Sequence, residues 1–215
     1  MARTDRNTEA LRVSIWPNDV HGLGSYSIGM SSGTIAAGAS ANAPIFSLRW
    51  GNSSGKVAVI KSVKITAASL ATGFTAGLSL FDLFVARSYS IVDTGGVSAD
   101  FASVANSNKR KTGFGASLMT DIQIANTGAL TPGTRTLDSA PLVKLGPFTT
   151  TNAAQTVFVP EGTKFLGKDN DGEHPLVLGA SEGLVIQATV PATGTWRVTV
   201  NVEWSEFHRY FSDAQ

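Results

Sequence analysis

Three observations predict an all-β fold, an antiparallel β-sandwich of jelly-roll type with an extended N-terminal arm. Thr195–Ser205 alternates strictly, with Trp196, Val198, Val200, Val202 and Trp204 on one side and polar residues on the other. Short apolar runs recur at similar spacing, separated by clusters rich in Gly, Asn, Asp and Ser. No amphipathic stripe of about ten or more residues at the helical period interrupts them. Many short strands punctuated by turn residues are the pattern of a sandwich rather than of a sheet alternating with helices.

The elements follow in chain order. Residues 1–20 are more polar and charged than the rest and read as an arm, with Leu11, Val13, Ile15 and Trp16 as docking points. The remaining residues, 21–215, form one sandwich domain. Its first segment, His21–Ala43, is built largely of Gly, Ser and Ala. That composition reads as a flexible linker; the alternative is a chain packed closely on a neighbour, which small side chains permit. Strands are expected at Ile45–Trp50, Lys56–Thr66, Leu78–Arg87, Ser117–Ile124, Leu142–Leu145, Thr156–Val159 and Leu176–Leu178. Leu78–Arg87 is apolar on both faces, Leu78, Leu80 and Phe84 against Phe81, Leu83 and Val85, and so belongs in a central, doubly covered position. Gly51–Gly55, Asp93–Gly96, Thr131–Gly133 and Asp169–Gly172 carry turn chemistry. Gly183–Val190 alternates like the last run, and Pro191-Ala-Thr-Gly194 between them predicts a β-hairpin over Gly183–Ser205.

Composition narrows function by exclusion. The 215 residues are 42% hydrophobic and 15% charged, which does not support disorder over most of the length. Lys+Arg 17 against Asp+Glu 16 gives a formal charge of +1, too little for a domain-wide phosphate-binding field, so no nucleic-acid partner is expected. Without cysteine there is no disulfide, thiolate nucleophile or cysteine-based metal site. Met1–Glu9 carries both charges and no apolar run follows, so no secretory signal is read and synthesis in the cytosol is expected. Ala67–Ala86 has Gly73 and Gly77 in G-x-x-x-G spacing, but Ser69, Thr72, Thr75, Ser79 and Asp82 make a membrane span there unexpected.

Motif matches are weak. Gly179-Ala-Ser-Glu-Gly183 matches a nucleophile elbow around Ser181, with Glu203 or Glu206 and His208 as nominal partners. The elbow needs a strand before it and a helix after it; here a strand follows, and a hairpin turn explains the glycines better. Gly162–Lys168 spells most of a phosphate loop, yet Asp169 stands where a hydroxyl should hold Mg²⁺. Asp169, Asp171, Glu173 and His174 are the densest group of metal-ligand types, but Gly167 sits where a calcium loop needs an oxygen, so a turn is the expectation. His21, His174 and His208 are too far apart in sequence for a paired zinc motif, and no cofactor is expected. Asn52-Ser-Ser54 fits a glycosylation acceptor only in a secreted chain. Lys109, Arg110 and Lys111 form the one compact basic run, a solvated loop tip or a contact for an acidic surface. Of Trp16, Trp50, Trp196 and Trp204, the last two fall on the apolar face of their run and are read as core rather than sugar platforms.

Several blocks carry a resemblance. They are Gly33–Trp50, Phe81-Asp-Leu-Phe-Val-Ala-Arg87, Asn108-Lys-Arg-Lys-Thr-Gly113 and, most distinctively, Glu173–Trp204. Together, intermittently from about residue 21 to 206, they resemble small virion structural proteins of tailed bacteriophages. The resemblance implies a non-enzymatic cement or head-decoration protein on the capsid exterior, with the major capsid protein as partner and self-association as a homotrimer. In that setting the arm, through Arg3, Arg6, Arg12 and Trp16, would order on binding, with Lys109, Arg110 and Lys111 as further contacts. The alternative is a receptor- or glycan-binding module of a tail or head fibre, which expects exposed aromatics at Tyr26, Tyr89 and Phe114.

Overall fold

A computed structural model of the chain describes residues 22–36, 41–51, 55–99, 101, 108–167 and 175–208, together with the short strands at 3–4 and 11–12. Those two, β1 (Arg3–Thr4) and β2 (Leu11–Arg12), pair with each other in an antiparallel ladder. The rest of the arm, Arg6 and Trp16 included, lies outside the described residues, as do His21, Asn52–Ser54 and the Asp169–His174 cluster.

The chain continues as β3 (Gly22–Ser31), β4 (Ile35–Ala36), β5 (Ala43–Trp50), β6 (Lys56–Ser69), β7 (Gly77–Tyr89) and β8 (Gly96–Ser98). It then forms β9 (Asp121–Ala125), β10 (Arg135–Leu137), β11 (Val143–Thr150), β12 (Val157–Gly167), β13 (Leu176–Leu178), β14 (Glu182–Thr189) and β15 (Thr195–His208). Two antiparallel sheets result. One runs β12-β6-β15-β3, with β13 also on β6 and β4 on β15; the other runs β10-β7-β14-β5-β9-β8, with β11 also on β7. The framework ladders are nested: β3 pairs with β15, β5 with β14, β6 with β12, and β7 with β11. A long hairpin wrapped once around a core gives this first-with-last pattern, so the fold is a jelly roll. Among the described residues no helix occurs, and so none is long and apolar enough to cross a membrane.

The core lies between the sheets. Trp196, Val198, Val200, Val202 and Trp204 of β15 are fully buried, facing Phe46 and Leu48 of β5, Phe81 and Leu83 of β7, and Leu184 and Ile186 of β14. Phe74, Phe81 and Phe158 surround the Trp196 ring at centroid distances of 6.1–6.4 Å. Tyr26 stacks on Trp204 at 5.6 Å, and Phe101 meets it edge-on at 5.8 Å. Each such aromatic removes roughly 150–250 Å² from water, so these clusters dominate the burial term.

The sequence reading needs correction at four places. Gly183–Ser205 is not a hairpin, because β14 and β15 belong to different sheets. Leu184, Val185 and Ile186 are all buried, so β14 needs an interior place, and it takes one between β5 and β7. Pro191–Gly194 therefore carries the chain across the sandwich; Gly194 has φ 101° and packs so close to Gly73 that a Cβ would lie 2.8 Å from its carbonyl oxygen. The described part of His21–Ala43 is not a linker but the edge formed by β3 and β4, which is the close-packing alternative. The strand expected from Ser117 begins only at Asp121. Finally, the turn Gly179–Glu182, closed by a Glu182 N–H donating to the Gly179 carbonyl at 3.1 Å, joins two sheets rather than two hairpin strands.

Candidate interaction surfaces

The residues between β7 and β11 build a second layer on one sheet. This insertion leaves β7, adds β9 and β8 beside β5 at the far edge, and returns to β7 as β10. Ser47, Val185, Ala86 and Gln123, on the face of that sheet turned away from the main core, are buried beneath it. A small apolar cluster of Ala86, Tyr89 and Val185, with Leu137 against it, forms there.

Polar contacts hold this layer. Arg135 forms an ion pair with Asp93, and both side chains are at most 5% exposed. Asp93 Oδ1 accepts from the Gly133 N–H at 2.9 Å, and the Asp93 carbonyl accepts from Gln123 Nε2. Arg135 lies over the Tyr89 ring at 5.6 Å and donates to its hydroxyl, while Arg49 donates to the Tyr89 carbonyl. Burial pushes the Tyr89 phenol and the Asp121 carboxyl up from their ordinary values. Asp93, Arg135, Gln123, Tyr89 and Arg49 are each engaged with another group, an arrangement suited to holding a loop in place.

The basic run is a strap. Arg110 N–H donates to the Ser25 carbonyl at 2.8 Å and Ser27 N–H to the Asn108 carbonyl at 3.1 Å, so Asn108–Arg110 caps part of the β3 edge. Lys109 Nζ donates to the Phe114 carbonyl at 2.9 Å, Arg110 pairs with Glu203 at 2.8 Å, and Lys111 lies 5.5 Å from the Phe114 ring centre. The solvated loop tip read from the sequence is thus tied down, because an edge strand of small residues leaves room for a covering chain.

Glu206 pins the far end of the strap. Its carboxylate is fully buried and accepts from Ser117 Oγ at 2.6 Å, Leu118 N–H at 3.0 Å and Trp204 Nε1 at 3.1 Å. Burial lifts this carboxyl above the ordinary range, against those hydrogen bonds, which pull it down. Tyr26, beneath the strap, donates to the Gly115 carbonyl at 3.2 Å, and burial first, then the nearby Glu206, pushes its phenol up to about 12.

These positions bear on the motif readings. Tyr26 and Tyr89 are buried, Phe114 is half-buried, and Trp50, Trp196 and Trp204 are core, so the aromatics expected at exposed tips are not presented there. Ser181 has φ 58° in the sheet-crossing turn and is followed by β14, not by a helix. Gly162–Gly167 lies within β12, where Gly162 N–H donates to Thr66 Oγ1. Among the described residues no cluster of metal-ligand side chains occurs.

The other sheet has no such second layer among the described residues. Across its outer face run register rows: Lys164, Lys64, Asn201 and Gly29 in one, with Thr66, Thr199 and Ser31 beside it. Lys64, Asn201, Gly29, Ser31 and Arg197 are exposed. Sequence reasoning missed this face, although the polar side of Thr195–Ser205 was its signal.

Comparison with family models, with curated proteins and with solved structures finds no match to this chain.

Proposed function

We propose that the protein is a non-enzymatic virion structural protein that binds the outside of a phage capsid and cements neighbouring capsomers. The observation that carries this reading is the asymmetry of the two outer faces: an insertion plates one sheet, and the other presents Lys64, Arg197, Asn201 and Ser31 exposed, with no second layer over it among the described residues. A sheet face held by its ladders suits docking on a larger surface, since its backbone has little conformational entropy left to lose when it binds. The resemblance in the sequence points the same way, and its blocks include framework strands β5 and β14, part of β7 and most of β15 as well as the strap. Buried titratable groups such as Glu206 and Asp93 are engaged in packing loops onto the sandwich, consistent with a structural role.

In this reading the partner is the major capsid protein, the copies associate as a homotrimer, and the N-terminal arm with Arg3, Arg6, Arg12 and Trp16 orders on the shell. Repeated contacts on a closed shell add avidity to a modest single interface. The test is co-sedimentation with capsid shells encoded by the same gene cluster, counting bound copies. Saturation at a simple multiple of the capsomer number is expected. A dozen copies or fewer, or none, would move the protein to the neck, tail or a fibre. Removing residues 1–20 should weaken attachment while the sandwich still melts cooperatively; unchanged binding would end the arm's role.

A further inference from the structure

We infer that the outward side of β7 around Leu78 and Leu80 is the docking site for the N-terminal arm of a sister copy, with Trp16 seated against Asp82. Phe81, Leu83 and Val85 of β7 face the main core, so Leu78, Leu80, Asp82 and Phe84 face outward with Ala86. The insertion buries Ala86 but not the rest of this strip. Leu80 and Phe84 are half-buried and belong to neither apolar cluster, and Leu78 is 58% exposed. Leu142, just before β11, is also exposed, and its N–H donates to the Leu83 carbonyl, which sets it beside Phe84. Asp82 lies in the middle of the strip, 9% exposed. Lys144 holds its Oδ2 at 3.3 Å, while its Oδ1 is buried with no hydrogen-bond partner. A buried acceptor left without a donor is costly, so the strip fits an apolar group that carries an N–H.

The arm supplies that chemistry, and its length decides whose arm it is. Leu11, Val13 and Ile15 alternate with Arg12 and Ser14, and Trp16 follows, a large ring whose one polar group is an N–H donor. The arm enters the body at Gly22, which pairs with Phe207 beside Val57. Trp50 Nε1 donates to the Lys56 carbonyl at this end, and β5 and β14 connect it in register, through Glu182 and Gly183, to Ala86 of β7. Leu78 lies eight residues down β7 from Ala86, about 27 Å along the strand, and on the far side of a second sheet about 10 Å away. Trp16 stands six residues before Gly22, about 20 Å at full extension. A chain's own Trp16 therefore falls short of Leu78 and Leu80, and a neighbour's arm has no such limit. The inference deepens the homotrimer of the capsid reading and rests on it for the sister copies. Arg3 and Arg6, further up the arm, stay available to the shell.

The test uses the full chain, which has no cysteine of its own, and a short bis-maleimide cross-linker. A tagged copy carrying Asn18→Cys is co-expressed with an untagged copy carrying Thr149→Cys. Asn18 is two residues from Trp16, and Thr149 is the exposed register partner of Leu78. A product of mixed size is expected, formed without shells. Placing the second cysteine on the opposite sheet instead, as Ser31→Cys, should abolish it. Leu78→Glu in the untagged copy should lower the yield about tenfold by putting a charge into the apolar contact, with the far-ultraviolet circular dichroism unchanged. Trp16→Phe in the tagged copy keeps a ring but loses the donor, and should lower the yield severalfold. Equal product with Ser31→Cys, a yield unchanged by Leu78→Glu or Trp16→Phe, or a link found only within single chains carrying both cysteines would overturn the inference. Co-sedimentation keeps it apart from the reading beneath it. Shells that bind the wild type when no mixed product forms would sink the arm exchange and leave the cement role. Mixed product from a chain that shells ignore would sink the cement role and leave the arm exchange.

Discussion

The space between the two sheets and the layer beneath the insertion are both buried, yet they are built by different physics. Between the sheets, Trp196, Trp204, Phe46, Phe81 and their neighbours exclude water through apolar area and ring packing. Under the insertion, three residues, Ala86, Tyr89 and Val185, make the apolar cluster, and the Asp93–Arg135 ion pair ties the loops together. The first region is broad and tolerant in kind: any well-packed apolar side chain of the right volume contributes. The second is specific, because a buried charge is stable only while its partner is present. A non-directional core supports the fold, and a directional network positions the loop that covers one sheet.

The largest effect is expected in the main core. Trp196→Ala should cost about 3–5 kcal/mol in chemical unfolding, through lost area and a cavity among Phe74, Phe81 and Phe158. Trp196→Phe should cost much less, partly because the indole N–H has no hydrogen-bond partner to lose. Next comes the ion pair. Arg135→Ala should cost about 3–5 kcal/mol by stranding Asp93, whereas Arg135→Met combined with Asp93→Leu should recover most of that loss. A double variant no more stable than the single one would show that the network acts through more than charge pairing.

A third comparison sets the two buried ends of the strap against each other by pH. The Glu206 carboxyl titrates above its unfolded value. Its stabilising contribution is therefore complete below the unfolded value and is lost as pH rises through the folded one. Relative to Glu206→Gln, the wild type should gain stability as pH falls from neutral through the upper carboxylate range; a constant difference would contradict the burial argument. Tyr26 behaves likewise at the other extreme. With its phenol pushed up to about 12 and an unfolded tyrosine near 10, its contribution is lost as pH rises through that interval, and Tyr26→Phe should flatten that part of the profile. The smallest effect belongs to Arg110→Ala, whose half-exposed pair with Glu203 is worth about 0–1 kcal/mol by double-mutant cycle.

How much of this was legible in the sequence follows the same division. Period-2 alternation marked β15, and the doubly apolar run marked β7 as an interior strand; its second apolar side is covered only in part, with Leu80 and Phe84 half-buried and Leu78 58% exposed. The sheet crossing at Pro191–Gly194 was misread as a hairpin, since local turn chemistry does not say which sheet receives the next strand. Likewise β3 is weak in sequence because its Gly and Ser residues contribute by close approach and backbone pairing with β15 rather than by bulk. The Asp93–Arg135 pair spans 42 positions, and no local pattern joins such residues. Lys64 and Lys164 are further apart still, and only the β6–β12 register sets them opposite each other.

The most direct test of the account is to acetylate surface lysines on the free protein and on shell-bound protein and compare each site by mass spectrometry. Lys64 and Lys164 should be shielded on the shell while Lys144, on the insertion-bearing sheet, reacts as it does in solution. Lys64 and Lys164 reacting equally in both states, with Lys144 protected instead, would place the contact on the opposite face and contradict the account.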